Sequence, residues 1–418
     1  MSSQYKLRGY QEEAVKRGVF GLTKYKKPFI LCLSVGAGKS LVIADICHKL
    51  DDNVLIICPN KEILEQNYQK LLSYGIDDIS MYSASVNKKD IAKYTYATIG
   101  SIYKKPELFQ HFKYVCIDEA DLVNPKRMSS MYMTFLKAIG NPPVCGLTAT
   151  PYRLVQGFYV DKVKGQTFTG QIRMLNRIKP FYFRNILYYK GMSSLINEGY
   201  LTKIRYIVSD TSWSSLKLNA SGTNFTDSSL EIDARKPDRV VKIISAVLDC
   251  EQNGDKSLTF CPTREQAKII YDKLVAHGIS AGYIDGDLPK KQRELVLLEY
   301  KSGAIQHMIN VDVLSVGFDE PSISAIILAR PSFSVRWMYQ AVGRGVRIDP
   351  NNPDKILKVY DIVGLTSRFG KIENIRLGKE IDGFRDRLES DKGTLTNKAL
   401  WEFSPDMVKV SKKWDNLI

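Results

Sequence analysis

The sequence predicts an α/β protein of two parallel-sheet domains, on three observations. Short apolar runs alternate with helical patterns along most of the chain. A glycine turn bearing a lysine joins one such run to a helix, and a second series of runs and helices repeats the alternation without that turn. With 418 residues the chain is too long for one hydrophobic core.

Phe29 to Ile46 (FILCLSVGAGKSLVIADI) reads as a buried strand, a turn and a helix in succession. Phe29, Ile30, Leu31 and Leu33 form the apolar run of a strand covered on both faces. Gly36 and Gly38 let the backbone turn tightly and approach a ligand, and Leu41, Val42, Ile43, Ala44 and Ile46 continue as a helix. The N–H groups of the Val35-Gly36-Ala37-Gly38 turn and the helix N-terminus favour a phosphate. Lys39 adds a full positive charge toward β- and γ-phosphates, and the Ser40 hydroxyl is placed to hold Mg²⁺. Leu33 stands where the GxxxxGK[ST] pattern has its first glycine.

Upstream, Leu7-Arg8-Gly9-Tyr10-Gln11 opens a helix, and the Gln11 amide can read an adenine edge by accepting and donating at once. Downstream, strands are predicted over Asn53–Cys58, Tyr96–Ser101 and Tyr114–Ile117, with a helix over Glu62–Tyr74. The last strand runs into Asp118-Glu119-Ala120-Asp121. An acid there, on the same sheet as the phosphate loop, can hold Mg²⁺ through Asp118 while Glu119 orients an attacking water.

The second domain is read from strands at Lys256–Cys261, Ser280–Ile284, His307–Val311 and Ser324–Leu328, with helices over Glu265–His277 and Lys290–Ser302. Ser209–Pro237, rich in Ser, Thr, Asn and Asp, is expected to be a mobile loop or surface insertion. Ser367–Ser390 is expected to form an amphipathic helix. Trp401, Phe403 and Trp414 would either pack the tail back onto a domain or bind a partner.

A formal charge of +15 favours an anionic partner. Tyr152–Arg205 holds ten Lys and Arg against two acids, with aromatics interleaved, so cations can meet phosphates while rings stack on bases or wedge a junction. Within it, Val160–Gln171 is a candidate hairpin turning near Lys164-Gly165. The seven cysteines show no CxxC pair and read as buried free thiols of a reducing cytoplasm. No apolar run approaches membrane-spanning length, and Met1–Lys16 is too polar for a signal peptide, so a cytoplasmic protein is expected.

With the phosphate loop and the DEAD acids in place, the chain resembles the superfamily 2 helicases and translocases over roughly residues 7 to 365. Further motifs extend the likeness in order: Gly146-Leu147-Thr148-Ala149-Thr150-Pro151-Tyr152-Arg153, Phe260-Cys261-Pro262-Thr263, Val313 to Pro321 (VLSVGFDEP) and Gln340 to Arg347 (QAVGRGVR). LRGYQ, GLTATPYR, INEGYL and QAVGRGVR resemble most the RadD-like and phage UvsW-like DNA repair and branch-migration helicases.

The resemblance implies two tandem RecA-like domains with the ATP site in the cleft between them. It also implies a first domain over 1–202 that includes a basic accessory segment at 152–202, a second domain over 203–365 and a C-terminal extension over 366–418. Arg8, Gln11, Gly317, Asp319 and Gln340 would join the loop in binding ATP. Arg344 and Arg347, read as projecting from one face of a helix beginning at Trp337, would be arginine fingers. Pro59, Asn60, Lys61, Thr98, Gly100, Ser101 and Thr263 would contact nucleic acid, together with Lys162, Lys164, Arg173 and Arg177.

The chain departs from relatives in several places. LSVGAGKS carries Ser34 and Val35 where LPTGAGKS is commoner, and Asp312 stands near a position more usually small or hydroxylic. No cysteine follows Cys261, where RadD-like relatives carry a zinc module, so no metal beyond Mg²⁺ is expected. The function expected is an ATP-dependent DNA helicase or translocase acting on branched or forked DNA as a monomer. An RNA helicase and a non-catalytic nucleic-acid-binding scaffold are the alternatives.

Overall fold

Phe29-Ile30-Leu31-Cys32-Leu33 forms β1 (Phe29–Leu33) with all five residues buried, as a strand covered on both faces requires. The structure, a computed structural model, describes residues 6–127, 129–161, 165–209, 211–314, 318–378 and 387–403. The chain divides into two units. The first comprises Met1–Arg153, Arg173–Ser194 and Leu377–Arg387, and the second Leu154–Ile172, Leu195–Arg376 and Leu388–Ile418.

In the first unit α1 (Gly9–Phe20) precedes β1. Then come α2 (Lys39–Leu50), β2 (Val54–Cys58), α3 (Lys61–Leu72), β3 (Ile79–Ser83), β4 (Lys88–Lys89), β5 (Tyr94–Thr98), the one-turn α4 (Ile99–Ile102), β6 (Tyr114–Asp118), α5 (Met131–Ala138) and β7 (Val144–Thr148). A hairpin of β8 (Tyr152–Asp161) and β9 (Gly165–Met174), most of which groups with the second unit, precedes β10 (Asn185–Lys190) of the first. The first sheet has the order β10-β1-β7-β6-β2-β5-β3-β4 and is parallel except where β4 meets β3.

Register sets up the site. Cys32 lies opposite Thr148 and Asp118 opposite Leu147, so the C-terminal ends of β1, β7 and β6 stand side by side, where open α/β sheets bind ligands. Gly146 of β7 permits this closeness. A Cβ there would come 2.7 Å from Ala120 Cβ and 2.9 Å from the Phe183 ring, so any larger residue would push the Asp118–Asp121 turn away. Phe183, one of the aromatics of the Tyr152–Arg205 stretch, is thus core. All seven cysteines are buried, and none is in a disulfide.

The second unit follows with α6 (Met192–Asn197), β11 (Ile204–Val208), α7 (Asp227–Ala234), α8 (Pro237–Gln252), β12 (Ser257–Phe260), α9 (Arg264–Ala276), β13 (Ala281–Ile284), α10 (Lys290–Ser302), β14 (His307–Asn310), β15 (Ala325–Leu328), α11 (Val335–Val342) and β16 (Leu357–Asp361). Its sheet, in the order β11-β16-β15-β12-β14-β13, is parallel throughout. Among the described residues no helix is long and apolar enough to cross a membrane.

Several expectations need correction. Within Ser209–Pro237 the described residues 211–226 form no helix or strand beyond a bridge of Leu218 to Phe225, and Asp227–Ala234 is α7, so the stretch is an anchored loop followed by a helix. Trp213 is fully buried, donates from Nε1 to Val363 O at 2.8 Å and packs edge-on against Phe225 and Phe333, while the Thr226 hydroxyl caps α7. Ser367–Ser390 is not one helix, because Gly370 at φ 87° ends the helical turn Leu365–Phe369. Ile99, Gly100 and Ser101 belong to α4, since β5 stops at Thr98. Residues 154–172 group with the second unit. Phe403 packs on Phe369 with ring centroids 5.2 Å apart, whereas the Trp401 side chain and Trp414 lie outside what is described.

Candidate nucleotide-binding site

The loop between β1 and α2 turns on two left-handed glycines, Gly36 (φ 78°) and Gly38 (φ 77°). Gly38 has no room for a side chain, because a Cβ would meet Gln11 Nε2 at 2.5 Å. Leu33 is the last residue of β1, opposite Lys190 of β10, so the strand runs on through the place of the missing first glycine. Val35 and Ala37 are buried, and Lys39 and Ser40 open α2.

α1 grips this loop with two side chains. Tyr10 Oη donates to Ala37 O at 3.0 Å, and Gln11 Nε2 donates to the same oxygen at 2.9 Å. Gln11 Oε1 accepts from Arg8 N at 2.9 Å. The amide expected to read adenine is buried and, in this state, engaged in shaping the phosphate loop. Tyr10 was not anticipated, although it sits inside the LRGYQ stretch.

β6 ends at Asp118, which is buried. Its Oδ1 accepts from Glu119 N at 3.0 Å and its Oδ2 from Asn67 Nδ2 at 2.9 Å. Burial, and next the neighbouring Glu119 carboxylate, push the Asp118 carboxyl above its ordinary value, with Lys39 and Asn67 opposing. Glu119 takes a left-handed conformation (φ 52°), which is costly for a residue that is neither glycine nor Asn/Asp. Lys39 Nζ lies 3.5 Å from Glu119 Oε1, while Glu119 Oε2 is buried without a hydrogen-bond partner. An unpartnered carboxylate oxygen beside an ammonium and a second carboxylate fits a site built for a phosphate, a hard cation and an ordered water.

The third motif locks onto these acids. Thr148 Oγ1 donates to Asp121 Oδ1 at 2.8 Å and accepts from Thr150 N at 3.0 Å, and Arg153 Nη1 donates to Asp121 O at 2.9 Å and Val123 O at 3.0 Å. The end of β7 and the turn after β6 are therefore one hydrogen-bonded piece.

In the second unit the arginines depart from expectation. α11 stops at Val342, so Arg344 and Arg347 lie in the turns beyond it and share no helical face. Arg344 is buried and donates from Nη1 to Phe318 O at 2.6 Å, while the more exposed Arg347 pairs with Asp319 Oδ1 at 2.5 Å. Gln340 is buried on α11, and Gly317 lies outside the described residues. Asp312 adopts φ 57°, a conformation short polar residues tolerate, and pairs with Arg330.

Residues expected to touch nucleic acid fall in three settings. Asn60, between Pro59 and Lys61, caps α3 by accepting from Ile63 N at 2.9 Å, and Thr263 caps α9 by accepting from Gln266 N at 3.2 Å. Thr98 and Ser101 share a hydroxyl cluster with Ser83, at 2.8 Å and 3.0 Å from Thr98 Oγ1, whereas Gly100 faces open space. Arg177 is exposed and Arg173 half-buried; Lys162 and Lys164 lie outside the described residues. Asn67 was missed. Its signal was a polar residue on the buried stripe of α3, between Leu64 and Leu71.

Residues 4–153 match the family model described as Type III restriction enzyme, res subunit, and residues 235–349 match Helicase conserved C-terminal domain. Two helicase domains in that order, with Lys39, Asp118 and Glu119 gathered at the strand ends of the first, decide the assignment. The chain belongs to the superfamily 2 helicases.

ATP and Mg²⁺ are the usual cofactors of this helicase family. One relative, "Putative ATP-dependent helicase IRC3" of Saccharomyces cerevisiae, is 20% identical over 86% of this chain and 52% of its own length. The chain thus spans about half the length of that relative.

Solved structures share the fold of two RecA-like domains. A fragment of a putative HsdR subunit of a type I restriction enzyme from Vibrio vulnificus YJ016 superposes with a TM-score of 0.62 at 20% identity, covering 88% of this chain and 67% of that one. The ATP-dependent Type ISP restriction-modification enzyme LlaBIII bound to DNA gives 0.60 at 16% identity over 85% and 27%. S. cerevisiae Dbp5 bound to RNA gives 0.53 at 15% identity over 85% and 83%.

Proposed function

We propose that this superfamily 2 helicase is an ATP-driven motor on DNA whose substrate is branched or forked duplex. The observation that carries the reading is Lys39 Nζ 3.5 Å from Glu119 Oε1, beside the buried Asp118. Bound there with Mg²⁺, ATP would supply a phosphoanhydride bond whose hydrolysis releases the energy for movement. Lys39 and the N–H groups of the Gly36–Ser40 loop would hold phosphate, Ser40 and Asp118 would hold the cation, and Glu119 would orient water and accept its proton. By the resemblance, Arg8 and Gln11 would serve the same nucleotide, and Gly317, Asp319, Gln340, Arg344 and Arg347 of the second unit would serve its turnover, the two arginines by offsetting developing negative charge.

For DNA as the track, support comes from the restriction-enzyme family of residues 4–153, the DNA-bound LlaBIII relative and the basic Tyr152–Arg205 stretch. Moving a junction exchanges each broken base pair for a new one, whereas strand separation costs on the order of 1.4 kcal/mol per step. A branch-migrating motor therefore needs grip on a duplex backbone and an element at the junction. The β8–β9 hairpin is offered for that element.

ATP turnover should be measured with single-stranded, forked, four-way and duplex DNA and with RNA. Greatest stimulation by forked or four-way DNA is expected. Stimulation by RNA alone would favour the second reading, an RNA helicase, for which the Asp118-Glu119-Ala120-Asp121 tetrapeptide and the Dbp5 likeness speak. Absence of turnover with every nucleic acid would leave a scaffold that has kept the fold.

A further inference from the structure

Lys355 lies in the turn before β16 and is buried, at 5% exposure. Its ammonium donates to three backbone carbonyl oxygens: Pro321 O at 2.5 Å, Ile323 O at 2.9 Å and Gly345 O at 3.1 Å. An ammonium has three N–H donors, and here each has an acceptor. Among the described residues no carboxylate lies within ion-pair distance of it.

The acceptors come from two segments. Pro321 and Ile323 follow Asp319, and Gly345 stands between Arg344 and Arg347. The same two segments are tied at the other end by Arg344 to Phe318 O and Arg347 to Asp319. Thr202 fixes the base of this post, donating from Oγ1 to Lys355 O and from N to Val346 O.

A buried charge of this kind is not explained by stability. Burial is the largest influence on the amine and pushes its pKa down to about 8, against the pull of Asp349 and Glu320 and with the push of Arg347. The unfolded chain binds that proton more readily, so at neutral pH the group costs the fold free energy. Its use must lie in the position it imposes.

We propose that Lys355 is a positioning residue that holds the Arg344–Arg347 turn against the Phe318–Ile323 segment in the geometry nucleotide turnover requires. The inference rests on the ATPase reading above for its kinetic arm. It rests on the second unit's own contacts for its structural arm.

Lys355→Met keeps the length of the side chain and removes the donors. The expected result is nucleotide affinity, read with a fluorescent ATP analogue, within about two-fold of wild type and kcat lower by up to ~10²-fold, the scale of a small misplacement of a reacting group. Amide exchange at Arg344, Gly345 and Ile323, each hydrogen-bonded within these turns, should accelerate by about ten-fold, the mark of local opening. Wild-type kcat should fall as pH rises through about 8, where the amine loses its charge. Lys355→Arg, which stays protonated, should lack that limb.

Wild-type kcat together with unchanged exchange in folded Lys355→Met would overturn the proposal. Should that variant not fold, a wild-type pH profile with no fall near 8, or one that Lys355→Arg reproduces, would overturn it instead. Failure of the wild-type protein to hydrolyse ATP with any nucleic acid would sink the functional reading alone, because amide exchange still judges Lys355.

Discussion

Asn67 Nδ2 donates to Asp118 Oδ2 at 2.9 Å, which ties the middle of α3 to the acid at the end of β6. The same helix begins at Asn60 and Lys61, so one rigid element carries both an expected nucleic-acid contact and the partner of an expected metal ligand. Asn67→Ala should raise the Mg²⁺ concentration for half-maximal turnover by about 10-fold or more, the usual scale for losing an outer-shell partner. Mg²⁺-dependent binding of an ATP analogue should weaken in parallel, while Mg²⁺-free binding holds. An unchanged Mg²⁺ dependence would show that the bond only packs the core.

Lys39 and Glu119 face one another but serve different steps. Lys39→Ala should lose nucleotide binding and hydrolysis together. Glu119→Gln should keep binding and lose turnover by roughly 10²- to 10⁴-fold, the range for a general base. Equilibrium binding and single-turnover hydrolysis separate the two, and near wild-type turnover in either variant would defeat the assignment.

Arg344 and Arg347 should each cost about 10³-fold or more in turnover when replaced by Ala. Their effects on stability should differ. Arg347 and Asp319 are partly exposed, so losing their ion pair should move the melting curve little, within about 1 kcal/mol. Arg344→Ala leaves Phe318 O without its donor in a buried place and should cost about 1–3 kcal/mol. Normal hydrolysis by folded Arg347→Ala would remove it from the site.

His307 gives the second unit a pH dependence of its own. The ring is fully buried, with Nδ1 2.8 Å from Ser257 Oγ and Nε2 2.7 Å from Glu251 Oε2. Burial lowers its pKa below the ordinary value, with Glu251 and then Asp255 opposing. The unfolded chain therefore takes up the proton first as pH falls, and stability present above about pH 6.5 is lost as pH falls through the folded-state value. The gap in melting temperature between wild type and His307→Gln should narrow from pH 7 to pH 5. A constant gap would mean that the ring does not titrate in that window.

Lys162 and Lys164, replaced together by Ala, should weaken binding to forked or four-way DNA more than to single strands. The salt slope on branched DNA should become shallower by about one for each phosphate that is no longer neutralised. Equal weakening on both substrates would eliminate the branch-specific role of the hairpin.

Much of this molecule is legible in its sequence because each cue is local. Lys290–Ser302 forms the helix expected of it, residue for residue, and the phosphate loop and Asp118 lie at the ends of strands read from apolar runs alone. What escaped depends on neighbours distant in the chain. β3 (ISMYS) lacks a continuous apolar run and forms through pairing with β5. Arg344 and Arg347 have helical spacing, but Gly343 and Gly345 interrupt it, and Gly345 leaves only 2.3 Å between a Cβ and Leu357 Cδ1. Trp213 anchors a run whose composition is otherwise that of a loop. The use of the Gln11 amide on Ala37 could not be foreseen from a pattern that names the residue and not its orientation.

The strand that carries the phosphate loop completes its pairing late in the life of the polypeptide. Phe29 pairs with Asn185 and Leu33 with Lys190, and every other strand of that sheet stands between them in the chain. At a synthesis rate of about 5–20 residues per second, β1 leaves the ribosome long before β10, so its outer row of amides and carbonyls waits uncovered beside an apolar face. A fragment cut at Arg153, where the first family match ends, would keep that edge open permanently and invite aggregation. A fragment extended through Ser194 would carry its own cover, so the inheritable folding unit of the nucleotide-binding half is longer than the matched family region.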